Sequence, residues 1–270
     1  MLQKTAAFVV FLFASMAASA LELKGDWQQG GVIVGKVPQG TLVEYRGKKL
    51  QISPAGEFVI GLGRDAARHA KIITISSDGL RQEHEFAVKQ RTYNIQKVTG
   101  VPQRTVDPDP AQVERAKREA QMAADARKGD LPLTFFAQKF TWPLIGPITG
   151  VYGSQRFYNG VPNSPHYGVD IAKPVGTLVK APAGGVVTLV HPDMFFSGGT
   201  LIIDHGHGLS STFIHLSEVL VKKGDVITQG QVIAKVGKTG RATGPHLDWR
   251  MNWFEERVDP QLLVEPMPAE

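Results

Sequence analysis

Three short stretches hold the residues of this chain that could do chemistry. Near the C-terminus runs Gly244-Pro245-His246-Leu247-Asp248-Trp249-Arg250, and upstream lie Pro165-His166-Tyr167-Gly168-Val169-Asp170 and Thr212-Phe213-Ile214-His215-Leu216. Side chains in a strand alternate faces, so His246 and Asp248 share one face while Leu247 and Trp249 share the other. The apolar pair would anchor the strand in a core, and the polar pair would face an open cleft. His166 and Asp170 add an imidazole and a carboxylate four residues apart. Asp248 is a third metal-capable group, and two imidazoles, His215 and His246, are left over. Such a set describes a three-ligand zinc site flanked by general bases, with the fourth coordination position left open for water.

The elements that must position these residues read as mostly β. From Leu21 to about Thr99, short runs such as residues 31–35, 41–45, 57–61, 71–75 and 84–88 alternate with Gly, Pro, Asn or charged turns. That spacing predicts a small β-sandwich. It holds no catalytic cluster; His69 and His84 read as surface residues. Between Val101 and Asp130, Pro102, Pro108 and Pro110 break the sheet pattern. Asp109 can then cap a helix over 110–127 with a weakly apolar face, which suits a surface linker helix. From Phe140 onward, Gly-rich β runs predict a compact, mostly antiparallel sheet curling on itself. Within it, Ser154 to Ser164 reads as a loop. Its Arg156 and Tyr158 could hold a substrate carbonyl, although a polar loop role is the default. His205 and His207 lie in a Gly-rich turn and read as exposed, with a role for His205 in supporting the site from behind as the alternative. The expected division is a leader over 1–20, a β-sandwich accessory domain over 21–100, a linker with helix over 101–130, and a catalytic domain over 131–270.

The leader follows from Lys4, the apolar run from Ala6 to Met16, and the small residues Ala18-Ser19-Ala20. A charged start, an apolar stretch too short to span a bilayer and a small-residue cleavage site predict a signal peptide and a periplasmic or secreted product. No later segment is apolar enough to cross a membrane. The chain contains no cysteine, so burial must stabilise it and any metal must be held by His, Asp or Glu. Its net charge of +5 over 270 residues is not gathered into long runs. That balance suits a polyanionic envelope surface, and the expected address argues against nucleic acid as a partner.

The segments His166-x-x-x-Asp170, His215-Leu216-Ser217 and Gly240-Arg241-Ala242-Thr243-Gly244-Pro245-His246-Leu247-Asp248 closely resemble, in order and spacing, those of the lysostaphin-like zinc metallopeptidases. So do residues 180–187 and 223–226. The likeness covers about residues 140–262. It implies a zinc-dependent metalloendopeptidase that uses Zn2+ to hydrolyse peptide bonds in peptidoglycan cross-links. By position, His166 and Asp170 would be ligands, while His215 and His246 would orient the attacking water and stabilise the developing oxyanion. One position departs from the family's His-x-His pattern, because the third ligand place is taken by Asp248. Aspartate is a competent zinc ligand. A second carboxylate nevertheless lowers the charge of the site and should make a bound water less acidic.

Two other readings remain open at this point. One is a catalytically degenerate relative that binds peptidoglycan or activates a partner hydrolase, which would give the chain a regulatory protein partner. The other is a lipoyl-type carrier, suggested by residues 181–187 and 222–226. The expected leader and the set of histidines count against the carrier.

Overall fold

The computed structural model describes residues 21–268. The leader expected over 1–20 lies outside the described residues. Eight strands occupy the first part of the described chain: β1 (Glu22–Gly25), β2 (Val32–Lys36), β3 (Leu42–Tyr45), β4 (Lys48–Lys49), β5 (Glu57–Gly61), β6 (His69–Ile75), β7 (Arg81–Ala87) and β8 (Ile95–Val98). The alternation that makes them strands is plain in β6, where exposed His69 and Lys71 interleave with buried Ala70, Ile72 and Thr74. They form two small antiparallel sheets, in the orders β1-β2-β5 and β4-β3-β6-β7. β8 leaves them and joins the second half.

Helix α1 spans Pro110–Arg127, as the sequence predicts. Its N-cap Asp109 accepts a hydrogen bond from the Gln112 amide at 2.9 Å, and Pro110 occupies a first-turn position where no amide is needed. Ala123 and Ala126 pack against Leu189, Met194 and Ile202, so the helix lies on the sheet that follows.

The second half contributes β9 (Ile148–Gly150), β10 (Gln155–Tyr158), β11 (Val161–Pro162), β12 (Gly168–Ala172), β13 (Leu178–Lys180), β14 (Gly185–Met194), β15 (Gly198–Gly206), β16 (Leu209–Leu216), β17 (Glu218–Val219), β18 (Val226–Ile227), β19 (Val232–Lys235), β20 (His246–Trp253) and β21 (Glu256–Val258); β10 and β11 join β8, and β13, β19 and β17 form a small sheet of their own. The large sheet runs β18-β14-β15-β16-β20-β12-β9, with β21 paired to β20, and every pairing in it is antiparallel. The fold is mainly β, as expected. Two local expectations fail. The stretch from Ser154 to Ser164 contains β10 and β11, because β8 pairs in parallel with β10 and gives the segment a ladder to join. The run from Val221 to Val226, for which the sequence predicts a further strand, is largely a turn: Gly224 adopts φ 94°, and the Lys222 amide donates to Asp225 Oδ2 at 2.8 Å.

Side chains from both halves meet in one buried cluster, with Ile33, Phe58 and Ile72 on one side and Phe213, Trp249 and Val258 on the other. The Tyr45 and Trp253 rings lie 5.7 Å apart across the junction. Arg91 Nη1 reaches Asp259 Oδ2 at 2.8 Å to add an ionic tie. Truncating Trp253 to Ala is therefore expected to cost about 3–5 kcal/mol, as for other buried aromatic residues. The loss should appear as one shifted urea transition read alike by fluorescence and circular dichroism. Two separated transitions would show that the halves unfold independently.

Candidate metal centre

The register of the large sheet creates the site. Asp170 on β12 and Asp248 on β20 are direct cross-strand partners, so their side chains rise from the same face of the sheet. His166, just before β12, is held by its amide to the Ser154 carbonyl at 2.8 Å. Its Nδ1 lies 3.2 Å from the Val151 carbonyl, which requires the proton on that nitrogen. The Nε2 lone pair then points at the carboxylates, 3.0 Å from Asp170 Oδ1 and 3.3 Å from Asp248 Oδ2. Ligand atoms of His166, Asp170 and Asp248 all lie within 4.8 Å of one another, and all three residues are buried.

This donor set fits a metal ion. An acceptor nitrogen facing two carboxylates is repulsive unless a cation, either a proton or a metal, sits between them. Asp170 Oδ1 is buried without a hydrogen bond, since its approach to His166 is close but not aligned as one. Burial by itself lowers the His166 pKa, but the Asp170 and Asp248 carboxylates outweigh it and raise it above 6.5.

Each carboxylate also has its own guanidinium. Arg156 Nη2 donates to Asp170 Oδ2, and Arg250 grips Asp248 through Nε at 3.0 and 3.1 Å and Nη2 at 2.6 Å. Burial raises the Asp248 pKa, yet Arg250 first and His166 second hold it well below the carboxylate range. A carboxylate offers about four lone-pair sites, so the Arg250 fork leaves capacity for a metal. Close approach is bought with glycine: a Cβ at Gly168 would collide with Asp248 Oδ1, and one at Gly150 with Asp170 Oδ2.

The two remaining imidazoles stand beside the triad, with ring centroids 4.7 Å apart. His246 places Nδ1 2.9 Å from the Gly244 carbonyl and Nε2 3.8 Å from Asp170 Oδ1. His215 donates Nδ1–H to the Thr239 carbonyl at 2.8 Å, which leaves its Nε2 as the acceptor. Strand alternation would send His215 to the same side as the buried Phe213. Its φ of 64°, in the left-handed region, instead turns it toward the groove. A non-glycine residue held there costs on the order of 1 kcal/mol or more, and such strain concentrates at functional sites.

Several side chains lie where the sequence did not place them. Arg156 and Tyr158 are buried in the wall of the groove. Arg250, the partner of Asp248, was legible only as the next residue on the same face of the strand. Gln96, from β8, accepts from Arg156 Nε at 3.0 Å and so reaches the support of Asp170 from the N-terminal half. His205 and His207, expected to be exposed, are buried under Phe140 and Phe136, whose rings lie 5.0 and 4.5 Å away. His205 does not face the triad. It bonds the Gly184 carbonyl at 2.6 Å and Ser211 Oγ at 2.8 Å, and Ser211 in turn accepts from Trp249 Nε1 at 3.3 Å, next to Asp248.

Residues 164–260 match the profile of Peptidase family M23. The chain is similar to the peptidoglycan DD-endopeptidase ShyA of Vibrio cholerae, with 42% identity over 90 residues, 33% of this chain and 20% of that protein. It is also similar to the DD-carboxypeptidase/endopeptidase Mpg of Neisseria meningitidis, with 38% identity over 103 residues, 38% of this chain and 24% of that protein. The matched part thus spans only a fifth to a quarter of these curated relatives. A crystal structure of a Pseudomonas aeruginosa protein assigned to peptidase M23 superposes with a TM-score of 0.69 at 30% identity, covering 88% of this chain and 95% of that one.

The Arg250 fork changes what restoring the family's histidine would do. Asp248→His alone leaves the Arg250 guanidinium beside the metal without its counter-charge, so metal affinity is expected to fall. Asp248→His with Arg250→Gln should recover at least tenfold of that loss, measured by chelator competition. Equal affinities in the single and double variants would show that the two side chains are not coupled.

Burial, with the His246 charge, lowers the His215 pKa to about 4, and burial alone does the same for His205. Between pH 6.5 and about 4 the unfolded chain takes up protons there that the folded chain does not. Stability from these two groups is complete above pH 6.5 and declines as pH falls through that window. Asp204 opposes this in part, because burial raises its carboxyl to about 6. Imidazole NMR resonances should show both histidines still neutral at about pH 5; a midpoint near the ordinary value for either would contradict the assignment.

Proposed function

The chain belongs to peptidase family M23, and from that premise we propose that it is an exported zinc metalloendopeptidase hydrolysing peptide bonds in peptidoglycan cross-links. The observation that carries the reading is the convergence of one imidazole nitrogen and two carboxylates, all buried and within 4.8 Å, beside two imidazoles that are not needed as ligands. The substrate is supported by relatives named as a peptidoglycan DD-endopeptidase and a DD-carboxypeptidase/endopeptidase. Export rests on the leader expected over 1–20. Among the described residues no helix is long and apolar enough to cross a membrane.

In this reading His166, Asp170 and Asp248 hold the metal, with Arg156 and Arg250 fixing the two carboxylates. Zinc in a three-ligand site supplies Lewis acidity toward a carbonyl and acidifies a water. His215 is kept neutral by burial, and its Nδ1 bond to Thr239 fixes the tautomer that can accept a proton at Nε2. His246, tethered through Nδ1 to the Gly244 carbonyl, presents Nε2 to the same space. The pair is placed to orient the nucleophile and to pass a proton to the departing amine.

The Arg250 fork also favours a second reading. If the guanidinium neutralises Asp248 well enough that no metal is taken up, the groove would serve only to bind peptidoglycan, or to present this chain to a partner hydrolase.

The two readings separate on metal content and hydrolysis measured together. One zinc per chain should survive dialysis, and purified sacculi should be digested. His215→Ala and His246→Ala should keep the zinc and lose about 10²–10⁴-fold in rate. A chain that neither holds nor takes up zinc would leave only the binding role.

A further inference from the structure

Three guanidiniums face the cavity beside the carboxylate pair, those of Arg156, Arg241 and Arg250. Two are matched, Arg156 by Asp170 and Arg250 by Asp248. No carboxylate among the described residues pairs with Arg241. Its Nη1 donates to the Thr105 carbonyl at 3.2 Å, one use of a group that carries five N–H donors. The Tyr158 and Phe196 rings pack against it, each with its centroid 4.5 Å from the guanidinium carbon. Burial lowers the Arg241 pKa and the neighbouring arginines add to this, while Tyr158 opposes them. The cavity therefore has one positive charge more than its own side chains balance, and any divalent metal would add to the excess.

We infer that Arg241 is the carboxylate-recognising residue of this groove, taking a free carboxylate on the amine-side residue of the scissile bond. The inference rests on the hydrolase reading above and deepens it. Arg241 lines the same cavity of about 350 Å³ as His215, His246 and Asp170, so a group it holds must lie close to the reacting carbonyl. A planar fork lying against two rings matches a carboxylate in two-point contact, and desolvation strengthens that contact. In peptidoglycan, two bonds carry such a carboxylate on the carbon that bears the scissile nitrogen. One is the bond to a terminal D-alanine. The other is the cross-link between D-alanine and a diaminopimelate. Both present the same chemistry to Arg241.

The test is calorimetric binding to the full chain, which does not depend on turnover. The probes are a stem pentapeptide ending in D-Ala–D-Ala, the same peptide as its C-terminal carboxamide, and a cross-linked dimer with and without amidation of the adjoining diaminopimelate carboxylate. The wild type should prefer at least one free carboxylate over its amide by about 10–100-fold, the range for a charge-assisted pair. Which pair shows the preference identifies the source. Arg241→Gln should abolish the preference and Arg241→Lys should recover part of it. Should Arg241→Gln fail to fold by circular dichroism, the wild type and Arg241→Lys still decide the matter. Equal binding of carboxylates and amides by the wild type, no binding of any probe, or a full preference retained without the guanidinium would each overturn the inference. A carboxylate preference without cleavage of any probe would sink the hydrolase reading and leave the subsite standing. Cleavage without the preference would do the reverse.

Discussion

Two buried carboxylates facing each other across one pair of strands are the constraint on which the rest of this structure depends. Asp170 and Asp248 are register partners, so the sheet cannot form without bringing two negative charges together inside the protein. Left alone, such a pair would be driven to take up a proton. The chain instead supplies a guanidinium to each, and an imidazole lone pair that calls for a cation between them. Every other feature of the centre follows from holding that arrangement: glycines at 150 and 168 where a Cβ would collide, and the forked grip of Arg250.

The same constraint bears on the cost of replacing the family's third histidine with an acid. Considered alone, Asp248 would lower the charge on the metal and weaken it as a Lewis acid. Arg250, two residues along the same strand face, returns that charge within hydrogen-bonding distance. A buried ion pair contributes little net stability when whole and costs several kcal/mol when one partner is removed. Asp248 and Arg250 are therefore better treated as one unit than as a ligand and a bystander.

The N-terminal half reaches the carboxylate cluster by a route that its lack of catalytic motifs conceals. Its last strand, β8, adds to β10, and Gln96 on that strand accepts from Arg156, which holds Asp170. Val98 and Val101 line the groove as well. The shared core extends the connection, since Tyr45 and Trp253 pack across the two halves and Trp253 closes the strand that carries His246 and Asp248.

The sequence by itself determined the local features. Asp109, Pro110 and an Ala- and Glu-rich run suffice to start and sustain α1, because capping and helix propensity act within a few residues. Alternation along β20 suffices to put Leu247 and Trp249 in the core and His246 and Asp248 on the other face, because pleating is also local. What only the tertiary structure decided are the encounters between distant segments. The burial of His205 and His207 depends on residues 131–140 folding over their turn, and no pattern near those histidines carries that information. The aim of His215 depends on one left-handed backbone angle that breaks the alternation on which a strand reading relies. The unbalanced charge of Arg241 exists only once folding has brought it, from the connection before β20, beside Arg156 of β10 and Arg250 of β20, each already paired with a carboxylate. Spacing along a chain fixes which residues share a face, but the balance of charge in a cavity is a sum over segments that meet only on folding.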